Sequence, residues 1–213
     1  MVAMLGLLAG ILSCCHLRMK GRTTLFYSWN ISSLWLLMAF FQFTVIGFWK
    51  INYSENFMLL VLYGAAIYCL RKVVFIRQME LGLQNRGLVI TPFHNTLGQG
   101  SYCSACGVSI EDRLFHSHWV NGCITNRNFS WYMGFLWLTL VTVAYGSNLA
   151  LTSVCHPHYL VQQFLLVPND CSYVFSDTEY ACTYVASCYA LLFGIPLALT
   201  AISMTVKKPS PKK

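Results

Sequence analysis

Four long apolar stretches constrain this chain more than any other feature: Ser33 to Trp49, Phe57 to Leu70, Trp131 to Val154 and Cys182 to Val206. A membrane-crossing helix needs roughly 20 mainly apolar residues, because the hydrocarbon layer holds no water to bond an open backbone. The second stretch reaches that length if the helix continues through Arg71 and Lys72 to Ile76, with both cations snorkelling to the interface. Only 10% of the chain is charged, against roughly 25% in soluble domains, so the chain cannot cover these stretches with a polar surface of its own. The predicted fold is an all-α integral membrane protein with four transmembrane helices at 33–49, 57–76, 131–154 and 182–206. Residues 1–16 are also apolar but short for a span, and are read either as a fifth, N-terminal helix or as an interfacial segment.

Fourteen Lys and Arg against seven Asp and Glu would suggest a nucleic-acid binder in a polar chain. Here their positions point to topology instead. Arg18, Lys20 and Arg22 precede the first span, Arg71, Lys72, Arg77, Arg86, Arg113 and Arg127 lie between the second and third, and four lysines sit in the tail at 207–213. The loop 155–181 has none, and Lys50 alone falls on its side. The positive-inside rule then places both termini and the segment 77–130 in the cytosol and 155–181 in the lumen, with the tail against anionic lipid headgroups and no role for nucleic acid. Cys155 and Cys171 share the lumenal loop, where a disulfide and two free thiols are equally open readings.

The segment 77–130 is polar, glycine-dotted and without strong periodicity, so it reads as loop-rich and too poor in apolar matter to order itself. A metal can do so. Cys103, Cys106, His116 and Cys123 form a C-x2-C-x9-H-x6-C pattern, and three thiolates with one imidazole make a closed tetrahedral zinc site. Reduced cytosolic thiols favour metal over disulfide, and four protein ligands leave no open position, so one structural zinc is expected.

The run from Tyr102-Cys-Ser-Ala-Cys106 through His116-Ser-His-Trp-Val-Asn-Gly-Cys123 to Asn128 resembles the cysteine-rich domain of the DHHC palmitoyltransferases, protein S-acyltransferases whose typical sequence reads HCSAC, then DHHCPWVNNC. The family's place for that domain, between the second and third of four spans, matches as well. The resemblance implies that Cys103, Cys106, His116 and Cys123 are the family's second zinc site. The first is missing: Tyr102 stands for a histidine, Ser109 for a cysteine, and no cysteine lies from Arg71 to Ser101. The catalytic Asp-His-His-Cys aligns with Leu114, Phe115, His116 and Ser117, so nucleophile, base and orienting acid have all been replaced. Serine is a poor substitute, because a hydroxyl needs a positioned base where a thiol already has some thiolate at neutral pH.

The resemblance therefore implies a catalytically degenerate pseudoenzyme that binds membrane lipids and works through protein substrates, palmitoyl-CoA or another acyl-CoA, or other acyltransferases, in the endoplasmic reticulum or Golgi. Two other readings stand beside it: an active acyltransferase with a non-standard nucleophile, and an unrelated transporter or receptor. The last would need functional polar groups within the spans, where Gln42, Thr44, Thr139, Thr142 and Asn148 are sparse.

Overall fold

The computed structural model describes residues 19–48, 50–85, 101–110, 112–159 and 166–206; the apolar segment 1–16 and the basic tail 207–213 lie outside them. Helices α1 (Met19–Phe40), α2 (Tyr53–Asn85), α3 (Phe129–Val154) and α4 (Thr178–Val206) make the body of the protein. Among the described residues, four helical segments, Thr24–Phe48, Tyr53–Gly82, Phe129–Val154 and Thr178–Val206, are long and apolar enough to cross a membrane. Helix α3 is central, packing against both α2 and α4.

Local signals explain the helix starts. Asn52 precedes α2, and Glu55 reaches back to accept from its backbone N–H at 3.0 Å, one half of a capping box. Asp177 caps α4 by accepting from the Glu179 N–H at 2.9 Å. After Phe40 the first helix widens into a π-helical turn, Phe41–Val45, and the Gln42 amide pairs with that of Asn56 at 2.7 and 3.3 Å. Hydroxyls inside the helices mostly bond their own backbone, as Thr142 does to the Leu138 carbonyl at 2.7 Å, so they carry little polarity into the bundle. Pro196 lies within α4.

Two elements extend beyond the apolar runs that announced them. Helix α1 begins at Met19, ahead of Ser33, and α2 continues to Asn85, through residues the sequence suggested were loop. Backbone hydrogen bonding does not stop where hydropathy does, and the added turns of α2 have partners: Arg77 donates to the Asn121 carbonyl at 2.7 Å, and Glu80 accepts from the Thr125 hydroxyl at 3.2 Å.

Among the described residues there are also three antiparallel two-stranded hairpins, β1 (Ser101–Cys103) with β2 (Val108–Ile110), β3 (Arg113–Ser117) with β4 (Gly122–Thr125), and β5 (His156–Tyr159) with β6 (Leu166–Asp170). The described part of the segment between α2 and α3, from Ser101 onward, thus holds two hairpins rather than plain loop; strands of three to five residues are too short to show period-two alternation. The first two hairpins sit at the start of α3 and the third at its end, where Cys155 is disulfide-bonded to Cys171.

Candidate metal centre

Turn geometry builds the centre. Cys103 ends β1 and Cys106 lies in the turn, which closes through a 2.7 Å bond from the Gly107 N–H to the Cys103 carbonyl. Gly107 has φ +74°, a left-handed conformation that costs glycine nothing. In the second hairpin His116 and Cys123 are direct cross-strand partners, which sets their side chains about 4.5–5.5 Å apart at Cβ. Asn121 closes that turn at φ 45°, tolerated because asparagine visits this region readily.

The four side chains meet. His116 Nδ1 lies 3.6, 3.4 and 3.9 Å from the sulfurs of Cys103, Cys106 and Cys123, and the Cys106 and Cys123 sulfurs are 3.5 Å apart. Ligand bonds of about 2.3 Å to sulfur and 2.0–2.1 Å to nitrogen at tetrahedral angles put ligand atoms roughly 3.6–3.8 Å apart. The spacing fits zinc. All four ligand atoms fall within 4.8 Å of one another, and among the described residues this is the Cys/His/carboxylate cluster that could hold a metal ion.

Electrostatics agree with the geometry. Burial, reinforced by the charges of His118, Arg77 and Arg113, lowers the His116 pKa to about 4, so the imidazole is neutral and ready to ligate. Burial raises the Cys123 thiol, and the neighbouring thiols of Cys103 and Cys106 raise it further. Burial also opposes ionisation of Cys103, but hydrogen bonds from the Cys106 backbone and its neighbours win and lower it. Three crowded thiols cannot all ionise on their own, and a divalent cation supplies the missing charge. With Nδ1 toward the cluster, His116 Nε2 is buried without a partner.

Strand alternation separates the other two residues of interest from this cluster. Phe115 packs edge-on against Tyr132 of α3, ring centroids 5.8 Å apart. Ser117 is 3% exposed, and its hydroxyl donates to the Tyr132 phenol oxygen at 3.0 Å. Leu114 is half-buried, and His118 is exposed with its ring 5.9 Å from that of His116. No hydrogen bond joins a histidine or carboxylate to Ser117 among the described residues.

Several residues support the centre from outside the ligand set, and two of them, Trp119 and Asn128, stand in the run that carries the family resemblance. Asn128 is fully buried and clamps β4, accepting from the Thr125 N–H at 2.9 Å and donating to the Cys123 carbonyl at 3.4 Å. Asn30 of α1 donates to the Trp119 carbonyl at 3.1 Å, and the Trp119 indole donates to Thr200 of α4 at 3.1 Å. A further hint was Arg77 and Glu80, charged groups one helical turn apart just beyond an apolar run.

Comparison with known proteins places this geometry. The DHHC palmitoyltransferase family matches over residues 94–208, slightly more than half of the chain. Palmitoyltransferase ZDHHC23-B of Danio rerio is 27% identical over 110 residues, covering 51% of this chain and 26% of the relative. Palmitoyltransferase ZDHHC23 of Mus musculus is 22% identical over 111 residues, 50% of this chain and 26% of the relative. Palmitoyltransferase Hip14 of Drosophila melanogaster is 31% identical over 64 residues, 29% of this chain and 10% of the relative. The matched region thus spans about a quarter or less of each of these relatives. No solved structure matches.

Proposed function

The chain belongs to the DHHC palmitoyltransferase family, and from that premise we propose that it is a catalytically degenerate member which acts by binding rather than by acyl transfer. The observation that carries this reading is Ser117, at the position of the family's nucleophilic cysteine, buried and bonded to a phenol instead of a base. A Tyr132 hydroxyl in an apolar setting is a poor proton acceptor at neutral pH, and Leu114 and Phe115 can neither accept a proton nor orient a group that does. Were Ser117 acylated, the product would be an oxygen ester, whose transfer to a thiol runs uphill. Turnover would stop there.

The centre is read as structural: Cys103, Cys106, His116 and Cys123 would hold one zinc ion, which ties the two hairpins into a fixed face. That face is proposed to lie in the cytosol and to bind protein substrates, acyl-CoA or another acyltransferase. Two independent features favour this orientation. Every Lys and Arg but Lys50 falls on that side of the four spans. The hairpin thiols Cys103, Cys106 and Cys123 are unbridged and lie at one end of α3 while the bonded pair Cys155–Cys171 lies at the other, as expected across a membrane with reducing and oxidising sides. Residence in the endoplasmic reticulum or Golgi would fit a lumenal disulfide.

The test is auto-acylation of the purified protein by a labelled acyl-CoA, comparing wild type with Ser117→Cys. The wild type should show no hydroxylamine-sensitive label. Ser117→Cys should restore little turnover, because the missing general base by itself is worth about 10²–10⁴ in rate. Thioester turnover by the wild type refutes the reading.

A further inference from the structure

At the disulfide end of the bundle, the chain between β6 and α4 displays apolar side chains away from the protein. It closes a short 3-10 turn, Val174–Ser176, through bonds from the Val174 N–H to the Cys171 carbonyl at 3.2 Å and from the Ser176 N–H to the Tyr173 carbonyl at 3.1 Å. The Ser176 hydroxyl donates to the same Tyr173 carbonyl at 2.7 Å, and Asp170 accepts from the Ser172 N–H at 3.0 Å. One end of the turn is tied to the end of α3 by Cys155–Cys171, and the other runs into the Asp177 cap of α4. Val174 is fully buried, whereas its neighbours Tyr173 and Phe175 are 69% and 73% exposed. A turn fixed at both ends therefore holds two large aromatic side chains outward, which water alone would disfavour.

The two rings lie at different depths. Phe175 meets Tyr184 edge-on, ring centroids 5.9 Å apart, and Tyr184 stands about 9 Å along α4 from Thr178 at 1.5 Å per residue. With 29 residues α4 is about 43 Å long, the thickness of a bilayer of about 30 Å of hydrocarbon with its headgroup zones, about 40–45 Å in all. The hydrocarbon boundary then falls roughly 6–7 Å inside each helix end, and Tyr184, with Phe175 beside it, lies just beyond that boundary. Cys182 and Val185 on the same stretch of α4 are exposed as well, so exposed apolar surface stands at this level on both the turn and the span. Tyr173 packs instead against His156, ring centroids 6.3 Å apart, just past the last residue of α3 and so at the level of the headgroups. A phenol among headgroups beside a phenyl ring among acyl chains is the arrangement by which aromatic side chains fix a protein at a membrane boundary.

Charge narrows the class of lipid. Residues 155–181 include Asp170, Asp177 and Glu179, all exposed, and no Lys or Arg. Lys50, the cation at this end, is already engaged: its ammonium donates to the Ser153 carbonyl at 2.8 Å and lies 5.2 Å from the centre of the Tyr180 ring. An anionic headgroup would meet three carboxylates here, whereas a zwitterionic one presents a quaternary ammonium that carboxylates and the face of Tyr173 both attract. We propose that the turn 171–177 is a docking surface for zwitterionic phospholipid in the leaflet on the disulfide side, with Phe175 among the acyl chains and Tyr173 at the headgroups. The contact needs only that the four helices cross a bilayer, and it is independent of what Ser117 does.

The experiment is photocrosslinking of the full-length protein in nanodiscs of phosphatidylcholine with a minor fraction of phosphatidylserine. The photoreactive p-benzoylphenylalanine is incorporated at Phe175, Tyr173 or Asn169 in separate samples, and adducts are identified by mass spectrometry. Phe175 should give adducts on acyl chains and Tyr173 adducts nearer the headgroup, and the lipid adduct should be lost at Asn169, exposed on β6 away from the turn. Phosphatidylcholine should appear at or above its share of the bilayer. Should the bulky probe disturb the turn, hydroxyl-radical footprinting of the unmodified chain reads the same contact: Phe175, open in the protein's own surface, should escape oxidation in nanodiscs, and Tyr173 should escape it less completely. Lipid adducts no more frequent at Phe175 than at Asn169, or full oxidation of Phe175, overturn the proposal. Enrichment of phosphatidylserine over its share does so as well, as do adducts in native membranes on a second copy of the chain or another protein in place of lipid.

Discussion

Replacing Cys106 by alanine tests whether a metal orders the hairpin face. The small core there consists of buried Cys103, Ile110 and Cys123, with Leu81, Ala105, Cys106 and Val108 packed around it. A fully buried aliphatic side chain contributes about 1.5–3 kcal/mol, while each ordered residue costs about 1–2 kcal/mol of backbone entropy. Ile110 and its neighbours therefore offset the ordering of only a few residues, and isolated two-stranded hairpins are marginal in water. A structural zinc contributes about 10–16 kcal/mol, which is enough. Removing one of three sulfur ligands should release the metal and open the first hairpin while the helical bundle persists. The assay is zinc content together with maleimide labelling in intact membranes. Wild type should carry about one zinc, with Cys103 and Cys123, each 1% exposed, protected. In Cys106→Ala both should label and the zinc should disappear, while Cys69, buried against Gly134 within the bundle, stays protected as an internal control. Retention of about one zinc per chain with protected thiols would refute the reasoning.

Acid should weaken the same centre. His116 titrates near 6.5 unfolded and about 4 folded, so the unfolded chain binds the extra proton between those values; stability is full above pH 6.5 and lost as pH falls through 4. Zinc retained after dialysis should decline in that direction, and retention unchanged below pH 4 would contradict it. Gly122→Ala would place a Cβ 2.8 Å from the Arg77 guanidinium and 2.9 Å from its Cδ. Displacing Arg77 from the Asn121 carbonyl should cost about 1.5–3 kcal/mol, read as faster hydrogen exchange across the second turn; unchanged exchange would mean that Arg77 is not holding it. Cys171→Ser should destabilise the far hairpin by about 3 kcal/mol, measured as protease sensitivity of that loop, and equal resistance would show that the bridge is dispensable.

Much of the centre was legible in the residues because its chemistry is local. Two cysteines one tight turn apart need only a glycine to close the turn, and His116 and Cys123 need only a four-residue turn to become cross-strand neighbours. The hairpins themselves were not legible, since strands so short carry no periodic pattern, and the segment read as loop. The choice between a bridged and an unbridged Cys155 and Cys171 also stayed open, because two cysteines in one loop define no separation until the chain is folded.

The sequence by itself determined the four apolar helices and pointed to the Cys/His cluster, since both follow from residues near in the chain: a bilayer demands an unbroken apolar length, and a metal demands particular side chains at short spacing. Tertiary structure alone decided what Ser117 touches, how far α2 runs over the hairpins, and which rings of the turn 171–177 stay exposed. Those contacts join residues far apart in the chain, such as Trp29 with Tyr189 and Trp119 with Thr200. Their energies come from burial and hydrogen bonds that exist only once the helices have packed.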